Sequence, residues 1–129
     1  MNSRVFKYKK FAEFAKSEGI SDEALCTALS EIENGLIDAN LGGGVIKKRV
    51  ARSNGSKSNG FRTIIFFKEG RNVFFFYGFA KNTKANISTT ELAQFKIIAK
   101  TMFSYNDEQI KKAIEHQELI EVMSDEKIP

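Results

Sequence analysis

The chain has 129 residues, a formal net charge of +4 and a hydrophobic fraction of 42%, which suits one globular domain over residues 1–129. Its longest apolar run, Val73–Ala80, is far shorter than the roughly 20 residues of a membrane-spanning helix, and MNSRVFKYKK lacks the apolar segment of a signal peptide. One cysteine, Cys26, and one histidine, His116, form no disulfide framework and no metal-ligand pattern, so we predict a cytoplasmic protein without metal or cofactor.

Two helices joined by a short turn are predicted at the N-terminus. Residues 4–18 predict a brief extended lead-in and then a helix, which Gly19 ends by adopting a left-handed conformation. The second helix starts after the N-cap Ser21 and ends at Gly35. A helical hairpin of this kind usually covers a sheet.

The connector from Leu36 to Gly44 ends in three consecutive glycines. A phosphate-binding loop needs spaced glycines ahead of a Lys-Ser/Thr pair and a helix. Here a strand follows the glycines, so we interpret them as flexible turns and not as a nucleotide site.

Three successive strands are predicted at Val45–Arg52, Phe61–Lys68 and Val73–Lys81. The segments between them are rich in Ser, Asn and Gly or carry a central Glu-Gly pair, which predicts hairpins and an antiparallel meander. The third strand is apolar on both faces, so it should lie at the centre of the sheet. Alternation places Lys47 and Arg49 on one face of the first strand. On the second strand, one face is predicted to carry Arg62, Ile64 and Phe66. On the third strand, one face is predicted to carry Val73, Phe75, Tyr77, Phe79 and Lys81.

Two helices with N-terminal caps are predicted in the last third of the chain. Ser88–Glu91 forms a capping box for a helix that runs to about Phe103, and Asn106–Gln109 starts another helix in the same way. Leu119–Val122 could add a short strand, and Ser124–Pro129 is expected to fray. In order, the predicted elements are an N-terminal helical hairpin, a small antiparallel sheet and C-terminal helices.

Most of the positive charge is concentrated in residues 45–86. This basic strand core holds ten Lys and Arg against one acid and carries +9, while residues 1–44 sum to −2 and residues 87–129 to −3. Eight of the fifteen aromatic residues lie in the same window. Positive charge laid over β-prone aromatic strands indicates a surface that meets nucleic-acid phosphates. Two of the cations, Lys68 and Arg71, flank a hairpin tip and are expected only to aid solubility.

Two motifs carry a resemblance to a known family. They are Lys57-Ser58-Asn59-Gly60-Phe61-Arg62-Thr63-Ile64-Ile65, and Tyr77-Gly78-Phe79-Ala80-Lys81-Asn82 followed by Ala85-Asn86-Ile87-Ser88. With a helical hairpin before them and a capped helix after them, residues 4–105 resemble the RelE/HigB-type toxins of bacterial type II toxin–antitoxin systems. Within the RelE/ParE superfamily, the likeness is to the phage-derived RelE-like branch.

The resemblance implies a fold, an activity and partners. The fold would be a RelE-like α+β domain with a twisted antiparallel sheet. The activity would be that of an mRNA interferase, a metal-independent endoribonuclease that cuts mRNA in the ribosomal A site and so inhibits translation. Its partners would be the ribosome, mRNA and a cognate antitoxin of the helix-turn-helix type, with operator DNA bound only through the antitoxin complex.

The resemblance also assigns roles to basic residues. Lys47 and Arg49 match the positions on the first meander strand that approach the scissile phosphate, and Arg62 matches the arginine after Gly-aromatic. Lys81 matches the basic residue just past the aromatic strand, with Lys84 as the alternative. The predicted catalytic set is Lys47, Arg49, Arg62 and Lys81, and the predicted RNA-binding set is Lys48, Arg52, Lys57, Tyr77 and Lys84.

These residue types suit RNA cleavage by the ribose 2′-OH. The reaction needs a base for the 2′-OH proton, donors for the charge that builds on the phosphorane, and an acid for the departing 5′-oxygen. Arginine gives planar, bidentate donors to phosphate oxygens, which favours Arg49 and Arg62 for charge stabilisation. Lys47 would act as base or electrostatic anchor, and Lys81 or Lys84 would lie nearer the leaving group.

Two other functions fit the same basic scaffold. A ParE-like inhibitor of DNA gyrase would use the fold without nuclease residues, and a non-catalytic nucleic-acid-binding module would use the charge alone. The cations at Lys47, Arg49 and Arg62 favour the nuclease. Induction in cells separates the three. Codon-phased cuts in translated messages indicate the nuclease, DNA-damage signalling indicates the gyrase inhibitor, and the absence of a growth defect indicates the binding module.

Overall fold

The computed structural model describes residues 4–50, 60–80 and 86–122, and these form four helices and six strands. None of the helices in these ranges is both long and apolar enough to cross a membrane. In chain order the elements are β1 (Val5–Tyr8), α1 (Lys9–Glu18), α2 (Asp22–Glu33), β2 (Ala39–Asn40), β3 (Val45–Val50), β4 (Phe61–Phe66), β5 (Val73–Phe79), α3 (Thr89–Phe103), α4 (Asp107–Glu115) and β6 (Leu119–Glu121).

The six strands form one mostly antiparallel sheet in the order β2-β3-β4-β5-β1-β6. β3, β4 and β5 are the predicted antiparallel meander, and β5 lies at the centre as expected. The predicted extended lead-in is β1, which pairs in parallel with β5 and antiparallel with β6. The α+β prediction is therefore confirmed. The added strand β2 comes from the connector and covers only part of β3, through Ala39 and Asn40.

Helices cover both faces of the sheet, so the structure has two apolar layers. We call the side under α1 and α2 the hairpin face and the side under α3 and α4 the α3 face. Side chains alternate along each strand, which sends neighbouring apolar residues into opposite layers. Buried residues of the hairpin face include Phe11, Leu25, Ile46, Phe61, Ile65 and Phe75, and those of the α3 face include Phe6, Val45, Ile64, Phe66, Phe76 and Phe95.

A β-bulge interrupts the alternation in β5. Ile64 of β4 pairs with Tyr77, whereas the next residue of β4 pairs with Phe75, so Phe76 is an extra residue between them. Phe75 consequently belongs to the hairpin face, while Phe76 and Tyr77 both pack on the α3 face. The prediction that the odd-numbered side chains from Val73 to Lys81 share one face is therefore wrong after Phe75.

The helix ends follow the predicted caps. Ser21 accepts a hydrogen bond from the backbone N–H of Ala24 at the start of α2. Capping boxes are present at Ser88 with Glu91 and at Asn106 with Gln109, where each side chain bonds the other residue's backbone N–H. These caps satisfy N–H groups that have no partner inside the helix, so they fix where α2, α3 and α4 begin.

Lys68 and Arg71 do more than aid solubility. Arg71 donates a hydrogen bond to the backbone oxygen of Phe103, the last residue of α3, and its guanidinium lies 5.8 Å from the Phe103 ring centroid. The Nζ of Lys68 lies 5.1 Å from the same centroid. Both cations therefore stand at the negative end of the α3 dipole and against an aromatic ring, and they tie the β4–β5 turn to the helix.

Gly78 is a position where a side chain would collide with α1. A Cβ atom added there would lie 2.5 Å from Cδ2 and Cε2 of Phe14, closer than packed carbons approach. We expect Gly78→Ala to lower the free energy of unfolding by about 1–3 kcal/mol, as measured by urea denaturation. Phe14→Ala removes the obstacle, so Gly78→Ala should cost much less in that background. An equal cost in both backgrounds would refute the collision as the cause.

Candidate functional site

Lys47, Arg49 and Arg62 lie on the same face of the sheet, and we call these three residues the basic cluster. Arg49 of β3 pairs directly with Arg62 of β4, and Lys47 pairs with Ile64. Paired residues of antiparallel strands project to the same side, and Ile64 is buried on the α3 face. The structure therefore brings these three cations together at one end of the α3 face.

Arg49 and Arg62 form an unusual cross-strand pair because both carry positive charge. Like charges directly opposite each other on neighbouring strands destabilise a sheet, by an amount on the order of 0.2–1 kcal/mol. The Arg49 side chain is 48% exposed, and no acid among residues 4–50, 60–80 and 86–122 is ion-paired with Arg62. An anion placed between the two guanidinium groups would remove the repulsion, so the arrangement suits a phosphate.

Lys47 contacts the loop that precedes α3. Its Nζ donates to Oδ1 of Asn86 across 3.5 Å, and the same oxygen accepts the backbone N–H of Ile87 at 2.9 Å. The second hydrogen bond fixes the direction of the Asn86 oxygen, which then limits where the Lys47 ammonium can lie. The sequence analysis placed Asn86 in a family motif but assigned it no contact with Lys47, although an asparagine just before a capping box is a recognisable loop signal.

Arg49 contacts Asp38, which immediately precedes β2. The closest approach joins Arg49 Nε to Asp38 Oδ2 across 3.5 Å. Sequence reasoning missed Asp38, and no local signal could have found it. Its position beside Arg49 depends on the pairing of Ala39 with Lys47, which brings the connector onto the edge of β3.

Comparison with protein families identifies the family of this chain. The sequence profile described as "RelE toxin of RelE / RelB toxin-antitoxin system" matches residues 3–122, almost the whole chain. The chain belongs to the RelE toxin family. It is therefore the toxin of a toxin–antitoxin module, and its family implies an antitoxin partner. A comparison with curated proteins found no significant match.

Tyr77 of this RelE-family toxin lies next to the basic cluster but is packed into the sheet. It pairs with Ile64, which in turn pairs with Lys47 on the neighbouring strand. Its ring centroid lies 5.5 Å from that of Phe95 on α3 and 5.8 Å from that of Phe79. The ring is half-buried between Phe95 and Phe79, so Tyr77 suits a packing role beside the site better than a role in stacking on RNA bases.

Lys48 does not join the basic cluster of the RelE-family toxin. It lies between Lys47 and Arg49, so its side chain points to the hairpin face, where it is only 4% exposed. There its Nζ forms an ion pair of 2.9 Å with Glu31 of α2. The expectation that Lys48 binds RNA disagrees with this burial, because a buried, paired ammonium presents no charge to a polyanion.

Four of the predicted site residues lie outside the described residues of the toxin. Two belong to the segment between β3 and β4 and two to the segment after β5. The described ends of these segments are close together, because Val50 pairs with Phe61 and Phe79 pairs with Arg62. The predicted residues in the two segments are Arg52, Lys57, Lys81 and Lys84.

Proposed function

We propose that this RelE-family toxin is a ribosome-dependent endoribonuclease, of the RelE/HigB type, that cuts mRNA and so inhibits translation. The observation that carries the proposal is the direct pairing of Arg49 with Arg62 on the face that also bears Lys47. A binding surface that needed charge alone would not require two arginines paired directly across neighbouring strands. A single phosphate that accumulates charge during reaction gives a reason for that arrangement.

The proposed reaction is an internal transfer within the RNA. The 2′-oxygen loses its proton, forms a bond to the adjacent phosphorus, and displaces the 5′-oxygen of the next nucleotide, which takes up a proton. The products are a 2′,3′-cyclic phosphate and a 5′-hydroxyl end. Arg49 and Arg62 would donate to the non-bridging phosphate oxygens, and Lys47 would serve as base or as electrostatic anchor for the 2′-oxygen.

Residues outside the described part of the chain complete the proposal. Lys81 or Lys84 would lie nearer the 5′-oxygen and help its departure, while Arg52 and Lys57 would bind the RNA backbone. The proposed setting is the cytoplasm, where the ribosome supplies the mRNA. The antitoxin is proposed to be of the helix-turn-helix type, to contact the basic face or the C-terminal helices, and to bind operator DNA as part of the complex.

An RNA-end assay tests the proposed function. Purified toxin is mixed with ribosomes carrying a defined mRNA, and the cut ends are mapped and analysed chemically. We expect cuts in phase with the A-site codon, 2′,3′-cyclic phosphate ends, and complete loss of cutting when the scissile nucleotide carries 2′-deoxyribose. Free mRNA without ribosomes is the control and should remain intact. Cleavage of the 2′-deoxy message, or inhibition of gyrase supercoiling without any RNA cleavage, would contradict the proposal.

A further inference from the structure

We propose that Asp38 is a positioning residue, which orients Arg49 for the cleavage reaction and at the same time weakens RNA binding. The inference rests on the proposed function for its kinetic consequence. The Asp38 carboxylate would oppose substrate binding yet support catalysis. This combination predicts opposite changes in two measurable quantities when the carboxylate is removed.

The backbone of Asp38 is held against the strand that carries Arg49. Its N–H donates to the carbonyl oxygen of Lys47 at 2.9 Å, and the next residue, Ala39, pairs with Lys47 in the sheet. The Asp38 side chain is 29% exposed, so solvent reaches the carboxylate although the backbone is held in place. Both side chains thus start from backbone positions that the sheet holds next to each other.

The contact leaves Arg49 able to bind a phosphate. The closest approach is at Nε, across 3.5 Å, and a guanidinium carries four further N–H donors on Nη1 and Nη2. A carboxylate near Nε therefore attracts that edge of the guanidinium by its charge, while donors remain for a second anion. Orientation of this kind speeds a reaction because the donors need not be ordered during the chemical step.

The charge of Asp38 acts in the other direction. Within residues 4–50, 60–80 and 86–122, Asp38 is the acid that forms an ion pair with a member of the basic cluster. A negative charge this close to Arg49 reduces the attraction of the cluster for RNA phosphates. Asp38 should therefore weaken binding of RNA while it helps the bound RNA to react.

Asp38→Asn tests both halves of the inference. The amide keeps the shape of the side chain and removes its charge. We expect kcat for mRNA cleavage on ribosomes to fall about tenfold, because Arg49 loses its orientation. Binding to ribosomes that carry a 2′-deoxy mRNA should become about two- to fivefold tighter, because the repulsion is gone. The unfolding midpoint should stay within about 1 °C of the wild type, since an exposed ion pair of this length adds little stability.

Two further variants separate positioning from a general effect of charge or structure. Asp38→Glu restores the carboxylate and should recover most of kcat. Asp22→Asn is the matched control, because Asp22 pairs with Lys7 at 2.8 Å, away from the basic cluster, and its loss changes the net charge equally. The control should leave kcat unchanged. A parallel fall of kcat and affinity in Asp38→Asn, or an equal fall of kcat in Asp22→Asn, would overturn the inference.

A double substitution and a spectroscopic signal complete the test. In an Arg49→Ala background, Asp38→Asn should no longer change kcat, since it acts through Arg49. In the wild type, the Nε–Hε signal of Arg49 in a ¹⁵N spectrum should be sharp and shifted, and Asp38→Asn should return it to the position of a free arginine. An unchanged signal overturns the positioning role even if the toxin cleaves RNA. A wild type that cuts no mRNA would instead refute the proposed function, whatever the spectrum shows.

Discussion

Arg62→Ala should slow mRNA cleavage about a hundred- to thousandfold and abolish growth inhibition in cells. Removal of one donor that stabilises developing negative charge typically costs about 2.7–4 kcal/mol of transition-state stabilisation. Arg62 stands directly opposite Arg49, so its loss leaves a phosphate with donors from one strand only. The measurement is the single-turnover rate on ribosomes programmed with one mRNA, together with plating efficiency after induction.

The stability of the same variant is an equally sharp test. Because Arg62 faces another cation, its removal relieves repulsion, and the midpoint of urea unfolding should be no lower than that of the wild type.

Lys10→Ala, which removes an exposed cation on α1, is the matched control and should leave both toxicity and stability unchanged. Arg62→Lys should keep part of the binding but little of the rate, since lysine cannot give bidentate donors. Full toxicity of Arg62→Ala would remove Arg62 from the proposed mechanism.

Glu31→Ala should destabilise the fold by about 3 kcal/mol. Lys48 is 4% exposed and ion-paired with Glu31 across 2.9 Å, so the substitution leaves a buried ammonium without its carboxylate. Breaking a buried pair from one side typically costs about 3–5 kcal/mol, and the partial exposure of Glu31 favours the lower end of that range. Urea denaturation at constant pH and salt measures the difference.

Two variants test the reason for that loss. Glu33→Ala changes the same residue type on the same helix at an exposed position, and it should cost less than about 0.5 kcal/mol. Replacing both partners, by Glu31→Leu with Lys48→Met, should recover most of the stability, because apolar side chains of similar size remove the charge problem. A Glu31→Ala protein as stable as the wild type would show that Lys48 finds water or another partner.

The pair between Glu31 and Lys48 also bears on the site. Lys48 lies between Lys47 and Arg49 on β3. Its ion pair with Glu31 of α2 holds the Lys48 side chain on the hairpin face. When Lys48 is held on the hairpin face, alternation directs Lys47 and Arg49 to the α3 face. The helical hairpin thus contributes to the orientation of the basic cluster from the opposite face of the sheet.

The sequence alone determined the order of all elements except β2, the family and the segment that carries the charge. Helix caps, hairpin turns and apolar periodicity are local signals, so Ser21, the capping box at Ser88 and the central position of β5 were predictable. The concentration of cations in residues 45–86 is likewise visible without coordinates. Alternation correctly placed Lys47 and Arg49 together, since a regular strand has a period of two.

The tertiary structure decided which cations meet and what holds them. Lys48 resembles its neighbours in sequence, yet packing against Glu31 of α2 removes it from the surface. The bulge in β5 moves Tyr77 to the α3 face, which no periodicity predicts. Asp38 and Asn86 reach the basic cluster only because an edge strand and a distant loop fold onto β3. Local propensity acts over a few residues, whereas these contacts join parts of the chain that only the packed sheet brings together.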